Sequence, residues 1–253
     1  MKKITYSKAI FPNLATGLNI FFGFVSIVYA SQENFKLAAL AIFVAAFFDL
    51  IDGLIARLLN TSSRLGVELD SLADVVSFGA APSFLIYQAE LISFGWLGII
   101  ISSCILTFGG FRLARFNVQL EDLSTKIDFK GLPIPAAGIA VASLVLFYHN
   151  GLNIIKPLDN FIIPIVLLLS LLMVSNIRYN TLPKIKYLKL SGKILIFSIS
   201  FVALLAIFMT NGEAFFYLIS AHIIFGIVRH IFNYFFNDRN SNDLKLNQKI
   251  SES

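Results

Sequence analysis

The sequence predicts an all-α, polytopic membrane bundle of about eight transmembrane helices with both termini cytoplasmic. Three observations predict it. Of 253 residues, 57% are hydrophobic and only 14% charged, with a mean hydropathy of +0.79, which sets the chain apart from soluble globular domains. Apolar stretches long enough for membrane helices recur near residues 11–30, 37–59, 66–89, 92–116, 133–149, 160–176, 193–210 and 213–236. Lys and Arg are also sorted: of the 20, all but Lys36 and Lys156 fall in residues 1–10, 57–65, 112–131, 178–193 and 229–253. The positive-inside rule makes those five segments cytoplasmic.

Residues 1–236 form one integral-membrane domain with a motif core at 12–140, and residues 237–253 form a polar cytoplasmic tail expected to be disordered. The first segment has no small-residue cleavage site and reads as an anchor rather than a removed signal. The net charge of +5 follows from topology and favours anionic lipid headgroups; nothing points to nucleic acid. The single Cys104 excludes a disulfide framework and a thiolate metal site.

Segment one opens Pro12-Asn13-Leu-Ala-Thr16, with Pro12 suited to a first helical turn and Asn13 and Thr16 at the cytoplasmic interface. Segment two is rich in Ala and Phe until its cytoplasmic end, where Asp49, Asp52, Gly53, Ala56 and Arg57 occupy one helical face, about 140° wide at 100° per residue. A polar turn at 60–65 is short enough to make segments two and three antiparallel neighbours. Segment three carries Gly66, Asp70, Asp74 and Ser77 on one face. Both acidic faces lie at cytoplasmic helix ends, so the spacing predicts one cluster of four carboxylates.

Segment four ends Gly109-Gly110-Phe-Arg112-Leu-Ala-Arg115-Phe-Asn117. Its arginines are either snorkelling interface markers or site residues, and the glycine pair with Asn117 favours a site. The chain then reaches Lys130-Gly131-Leu-Pro133-Ile-Pro135, where the prolines start the next helix. Segments five to eight carry fewer polar signals, and His149, His222 and His230 bear no regular spacing to the acids.

An ionisable side chain within a membrane segment is costly and is by default a functional hypothesis. Carboxylates without histidine or thiolate partners suit hard divalent cations, Mg²⁺ or Mn²⁺, and four of them can hold two ions. Paired ions suit phosphate chemistry, with Arg57 placed for remaining phosphate charge and an edge carboxylate available as general base.

Asp49-x-x-Asp52-Gly53-x-x-Ala56-Arg57, eight residues, then Gly66-x-x-x-Asp70-x-x-x-Asp74 is similar in every fixed residue and spacing to the signature of the CDP-alcohol phosphatidyltransferases. Pro12-Asn13, Ser77-Phe-Gly79, Arg112-Leu-Ala-Arg115-Phe-Asn117 and Gly131-Leu-Pro133-x-Pro135 resemble the phosphatidylserine synthase branch. The resemblance implies that Asp49 and Asp70 bridge two metals, that Asp52 and Asp74 complete their shells, and that Asp74 is also the base. It further implies CDP-diacylglycerol contacts at Asn13, Gly53, Arg57 and Ser63. The implied reaction joins CDP-diacylglycerol and L-serine to give phosphatidylserine and CMP, in a homodimer of a prokaryotic inner membrane with its site facing the cytoplasm. Arg112, Arg115 and Lys130 are the candidates for holding serine.

Within this chemistry the alternative is transfer to another alcohol, such as glycerol 3-phosphate or inositol phosphate. Outside it, a divalent-cation transporter also needs membrane carboxylates, although Arg57 beside them opposes cation passage. A purely structural pairing of the acids with Arg57 and Arg64 leaves two carboxylates uncompensated.

Overall fold

A computed structural model describes residues 6–59, 64–121, 131–177, 179, 198 and 202–251. Helix α1 (Tyr6–Ser31) and α2 (Phe35–Leu59) are antiparallel and packed along their length. A third helical run starts as α3 (Arg64–Asp74), widens to a π-helix over Val75–Ala80, tightens to α4 (Ala81–Ile86) and widens again over Tyr87–Leu91. It ends in a 3₁₀ turn at Ile92–Phe94, and Gly95, at φ 55°, reverses the chain into α5 (Trp96–Glu121). Then come α6 (Ile134–Tyr148), a 3₁₀ turn at Leu158–Phe161, α7 (Ile162–Val174) and a C-terminal helix, Ala214–Ser251.

Among the described residues, five helices are long and apolar enough to cross a membrane: Ile10–Ser31, Phe35–Leu59, Leu65–Phe94, Trp96–Val118 and Ala214–Phe232. Two of the expected eight spans are shorter than a full crossing, since α6 has 15 residues and α7 has 13. At 1.5 Å per residue each covers roughly 20 Å of a hydrocarbon layer about 30 Å thick. Of the seventh expected span, residues 198 and 202–210 are described, with 202–209 helical. Two further expectations are corrected. Pro12 lies inside α1 rather than at its start, because the helix already begins at Tyr6. The tail after Asn237, expected as disordered, continues the C-terminal helix to Ser251.

The core lies around α6, which is apolar on every side and buries most of its residues. Close contact there needs small residues, because lipid tails are as apolar as leucine and packing must supply the attraction between helices. Ala38, Ala39, Ala41 and Ala45 line the buried stripe of α2. At Gly138 of α6, a Cβ would stand 2.9 Å from both Cα and the carbonyl oxygen of Phe78. At Gly23 of α1, a Cβ would meet Ser77 Cα at 2.9 Å, and the Ser77 hydroxyl donates to the Asn19 carbonyl at 2.8 Å. The π-helical stretch is thus clamped between α1 and α6 directly beyond Asp74.

Gly138→Ala is expected to lower stability by roughly 1–3 kcal/mol, because the obstructing atoms are backbone. Thermal unfolding in detergent checks this against Gly110→Ala, whose added methyl group meets nothing within 4 Å and should leave the midpoint unchanged or raised.

Candidate metal and phosphoryl-transfer site

The acidic ends of α2 and α3 meet, as the short connection between Leu59 and Arg64 requires. Carboxylate oxygens of Asp49, Asp52 and Asp70 lie within 4.8 Å of one another. Asp74 adjoins this trio, with its carboxyl group close to that of Asp49 and the Arg112 guanidinium of α5 near enough to act on its charge. Asp52 is 5% exposed. Its Oδ2 and Asp74 Oδ1 are buried with no hydrogen-bond partner among the described residues.

Such orphaned acceptors are costly unless something positive completes them. An all-oxygen donor set with two unsatisfied atoms fits a hard divalent cation. The expected four-acid cluster therefore forms, with three acids in the tightest group and Asp74 at its edge.

The surrounding residues separate into those that face the acids and those that do not. Asn13 is half-buried on α1, one turn before Thr16. The Thr16 hydroxyl donates to the Pro12 carbonyl at 3.0 Å and also lies in hydrogen-bonding reach of Asp52. Arg57 is exposed, and its Nε donates to the Gly53 carbonyl at 2.8 Å. A Cβ at Gly53 would only touch Arg57 Nη2 at 3.6 Å, so the protein's own packing does not demand glycine there. Ser63 and Lys130, two expected binding residues, lie outside the described residues.

Arg112 and Arg115 were expected to act together, but they reach different neighbours. Arg112 is half-buried, its charge acts on Asp74, and its Nε has no partner among the described residues. Arg115 Nη1 donates to the Val174 carbonyl at 3.1 Å, at the C-terminus of α7, where the helix dipole favours a cation. Leu132 N–H and the Ser175 hydroxyl both donate to Leu172 O nearby, at 2.9 and 2.8 Å. Of the glycine pair, Gly109 has a packing reason, since a Cβ would strike the Ile134 side chain at 2.4 Å. Asn117 exchanges hydrogen bonds with Ser71 of α3, tying α5 to the helix that carries Asp70 and Asp74.

Two α1 residues were missed or under-read in the sequence. Thr16 read as an interface cap but reaches Asp52. Asn19 drew no notice, yet it is 0% exposed and both of its side-chain amide atoms lack partners. The available signal was the spacing Asn13, Thr16, Asn19, three polar residues at steps of three on an otherwise apolar helix.

The family model described as CDP-alcohol phosphatidyltransferase matches residues 9–172. A CDP-diacylglycerol--serine O-phosphatidyltransferase of Helicobacter pylori is 40% identical over 224 residues, 88% of this chain and 92% of the relative. An enzyme of the same name from Bacillus subtilis is 38% identical over 171 residues, 66% of this chain and 88% of the relative. An archaetidylserine synthase of Methanothermobacter thermautotrophicus is 36% identical over 180 residues, covering 70% and 72%.

Asp49→Asn and Asp70→Asn are each expected to weaken Mn²⁺ binding by at least about tenfold, while Asp74→Asn, at the cluster's edge, weakens it less. Titration of the purified protein with Mn²⁺, followed by electron paramagnetic resonance of the free ion, measures the order.

Proposed function

The chain belongs to the CDP-alcohol phosphatidyltransferase family, and from that premise we propose that it transfers the phosphatidyl group of CDP-diacylglycerol to the hydroxyl of L-serine, giving phosphatidylserine and CMP. The observation that carries the reading is the meeting of Asp49, Asp52 and Asp70, with Asp74 against Asp49, at the ends of two membrane helices. The relatives named as serine-transferring enzymes support serine as acceptor.

The fold supports an integral membrane enzyme. The chain crosses a prokaryotic inner membrane, with α6 and α7 as short internal spans, both termini cytoplasmic and the acidic site on that side. This orientation rests on the distribution of Lys and Arg. It lets the acyl tails of the substrate stay in the bilayer while nucleotide and serine arrive from water. The active form is a homodimer.

Asp49, Asp52, Asp70 and Asp74 would together hold two Mg²⁺ or Mn²⁺ ions. Such ions, when bound, neutralise the pyrophosphate and stabilise the departing phosphate oxygen. The chain's own residues do the rest. Asn13, Gly53, Arg57 and Ser63 hold the nucleotide lipid, the bare face at Gly53 allowing close approach to the backbone.

Asp74 takes the proton of the serine hydroxyl on its carboxylate. The hydroxyl oxygen then bonds to the phosphorus that bears diacylglycerol, and the bond from that phosphorus to the bridging oxygen breaks, releasing CMP. Arg112, beside Asp74, grips the serine carboxylate and so brings the acceptor to its base, with Lys130 assisting. Arg115 contributes at longer range by holding α5 to the end of α7.

Purified protein supplied with CDP-diacylglycerol and separately labelled acceptors is expected to label lipid with serine and not with glycerol 3-phosphate or inositol phosphate; the reverse pattern refutes serine as acceptor. CMP release in detergent, without any gradient, excludes a purely transporting role. Asp74→Asn should lower kcat by about 10²–10⁴, the usual contribution of a general base, while retaining CDP-diacylglycerol binding. Arg112→Gln should raise the serine KM by about 10- to 100-fold, as loss of a charge-assisted bond predicts.

A further inference from the structure

Asn19 is a buried amide that the reaction described above does not use. It lies on α1 one turn beyond Thr16, whose hydroxyl reaches Asp52. The Asn19 carbonyl oxygen receives the Ser77 hydroxyl, one turn beyond Asp74 on the neighbouring helix. Since α1 and α2 run antiparallel, the step from Thr16 to Asn19 matches the step from Asp52 to Asp49, about 4.5 Å along each axis. Along the helix axes Asn19 therefore stands level with Asp49 of α2 and beside Ser77 of the third helical run, one turn from both Asp52 and Asp74.

A fully buried primary amide has two N–H donors and one carbonyl acceptor, and leaving them unmade costs about 1–3 kcal/mol per group. A bundle selected for stability alone would place leucine there. The unmet needs around it are complementary: Nδ2 of Asn19 offers two donors, while Asp52 Oδ2 and Asp74 Oδ1 are two buried acceptors without partners. Neither carboxylate can serve the other, because ionised carboxylates only accept.

We propose that Asn19 is a positioning residue, donating its two amide N–H bonds through bridging water to Asp52 and Asp74 and so holding both carboxylates in the orientation that receives a divalent cation. This rests on the reading of the acidic cluster as a metal site. A ligand that is itself hydrogen-bonded binds a metal more tightly, because its orientation is fixed before the ion arrives. The amide has no contact with substrate in this role; it acts through the two acids.

The test measures two quantities on the full-length protein in detergent: the thermal midpoint without metal, and the Mn²⁺ affinity by electron paramagnetic resonance. Asn19→Leu is expected to keep or raise the metal-free midpoint while weakening Mn²⁺ binding by about 10- to 100-fold. Asn19→Asp, of equal size but without N–H donors, is expected to weaken it at least as much. A lowered metal-free midpoint in Asn19→Leu, failure to fold included, assigns the amide to structure and overturns the proposal, as does unchanged Mn²⁺ affinity. Tighter Mn²⁺ binding in Asn19→Asp would make residue 19 an oxygen ligand and overturn the donor role. Wild-type protein that binds no Mn²⁺ would instead refute the metal site itself, so the two failures are distinguishable.

Discussion

The structure depends on holding four carboxylates together where water is scarce. Two unit charges at the 4.8 Å limit of the acidic trio repel by about 3 kcal/mol at an effective dielectric of roughly 20. Several such pairs within one protein of ordinary marginal stability would drive α2 and α3 apart. Countercharge relieves that repulsion: the Arg112 guanidinium nearby supplies some, and a divalent cation held by the trio would supply more. Phosphate chemistry uses the same circumstance, because a site that attracts cations this strongly offers them to a pyrophosphate.

Packing elsewhere keeps that cluster from relaxing. The Gly23–Ser77 contact fixes α1 against the third helical run just beyond Asp74, and the Gly138–Phe78 contact fixes the opposite side. Asn117 and Ser71 join α5 to α3, and Arg115 joins α5 to the end of α7. Each contact lies within a few turns of an acid. The apolar core around α6 is a backing plate against which the acidic helices are held, and its small residues let the plate sit close.

Much of this was legible in the sequence because it obeys a period. The shared face of Asp49, Asp52 and Gly53, the matching face of Asp70 and Asp74, and the short turn between them follow from 3.6 residues per turn. The start of α1 was misjudged because proline, costly inside a soluble helix, is tolerated inside a membrane helix where neighbouring groups satisfy the freed backbone. The tail after Asn237 read as disordered because composition reports solubility and is silent on whether a preceding helix can be extended. The divergence of Arg112 and Arg115 was hidden, since residues three apart share a face yet differ enough in direction for one to meet α3 and the other α7. Asn19 was hidden for another reason: nothing in a pattern of residues shows that a buried amide lacks partners.

The width of the third helical run sets the registers on either side of it. A π-helical stretch such as Val75–Ala80 closes its hydrogen bonds from i to i+5 and so takes up extra chain within an otherwise α-helical run. Upstream of it, Asp70 and Asp74 keep the register that faces α2; from Phe78 onward, the run keeps the register that faces α6. Removing a single residue from this stretch would restore an ordinary helix and turn one half by about 100° relative to the other. The chain length of this segment is therefore as much a part of the acidic site as the aspartates, and a shortened version with every aspartate intact would present them to the wrong neighbour.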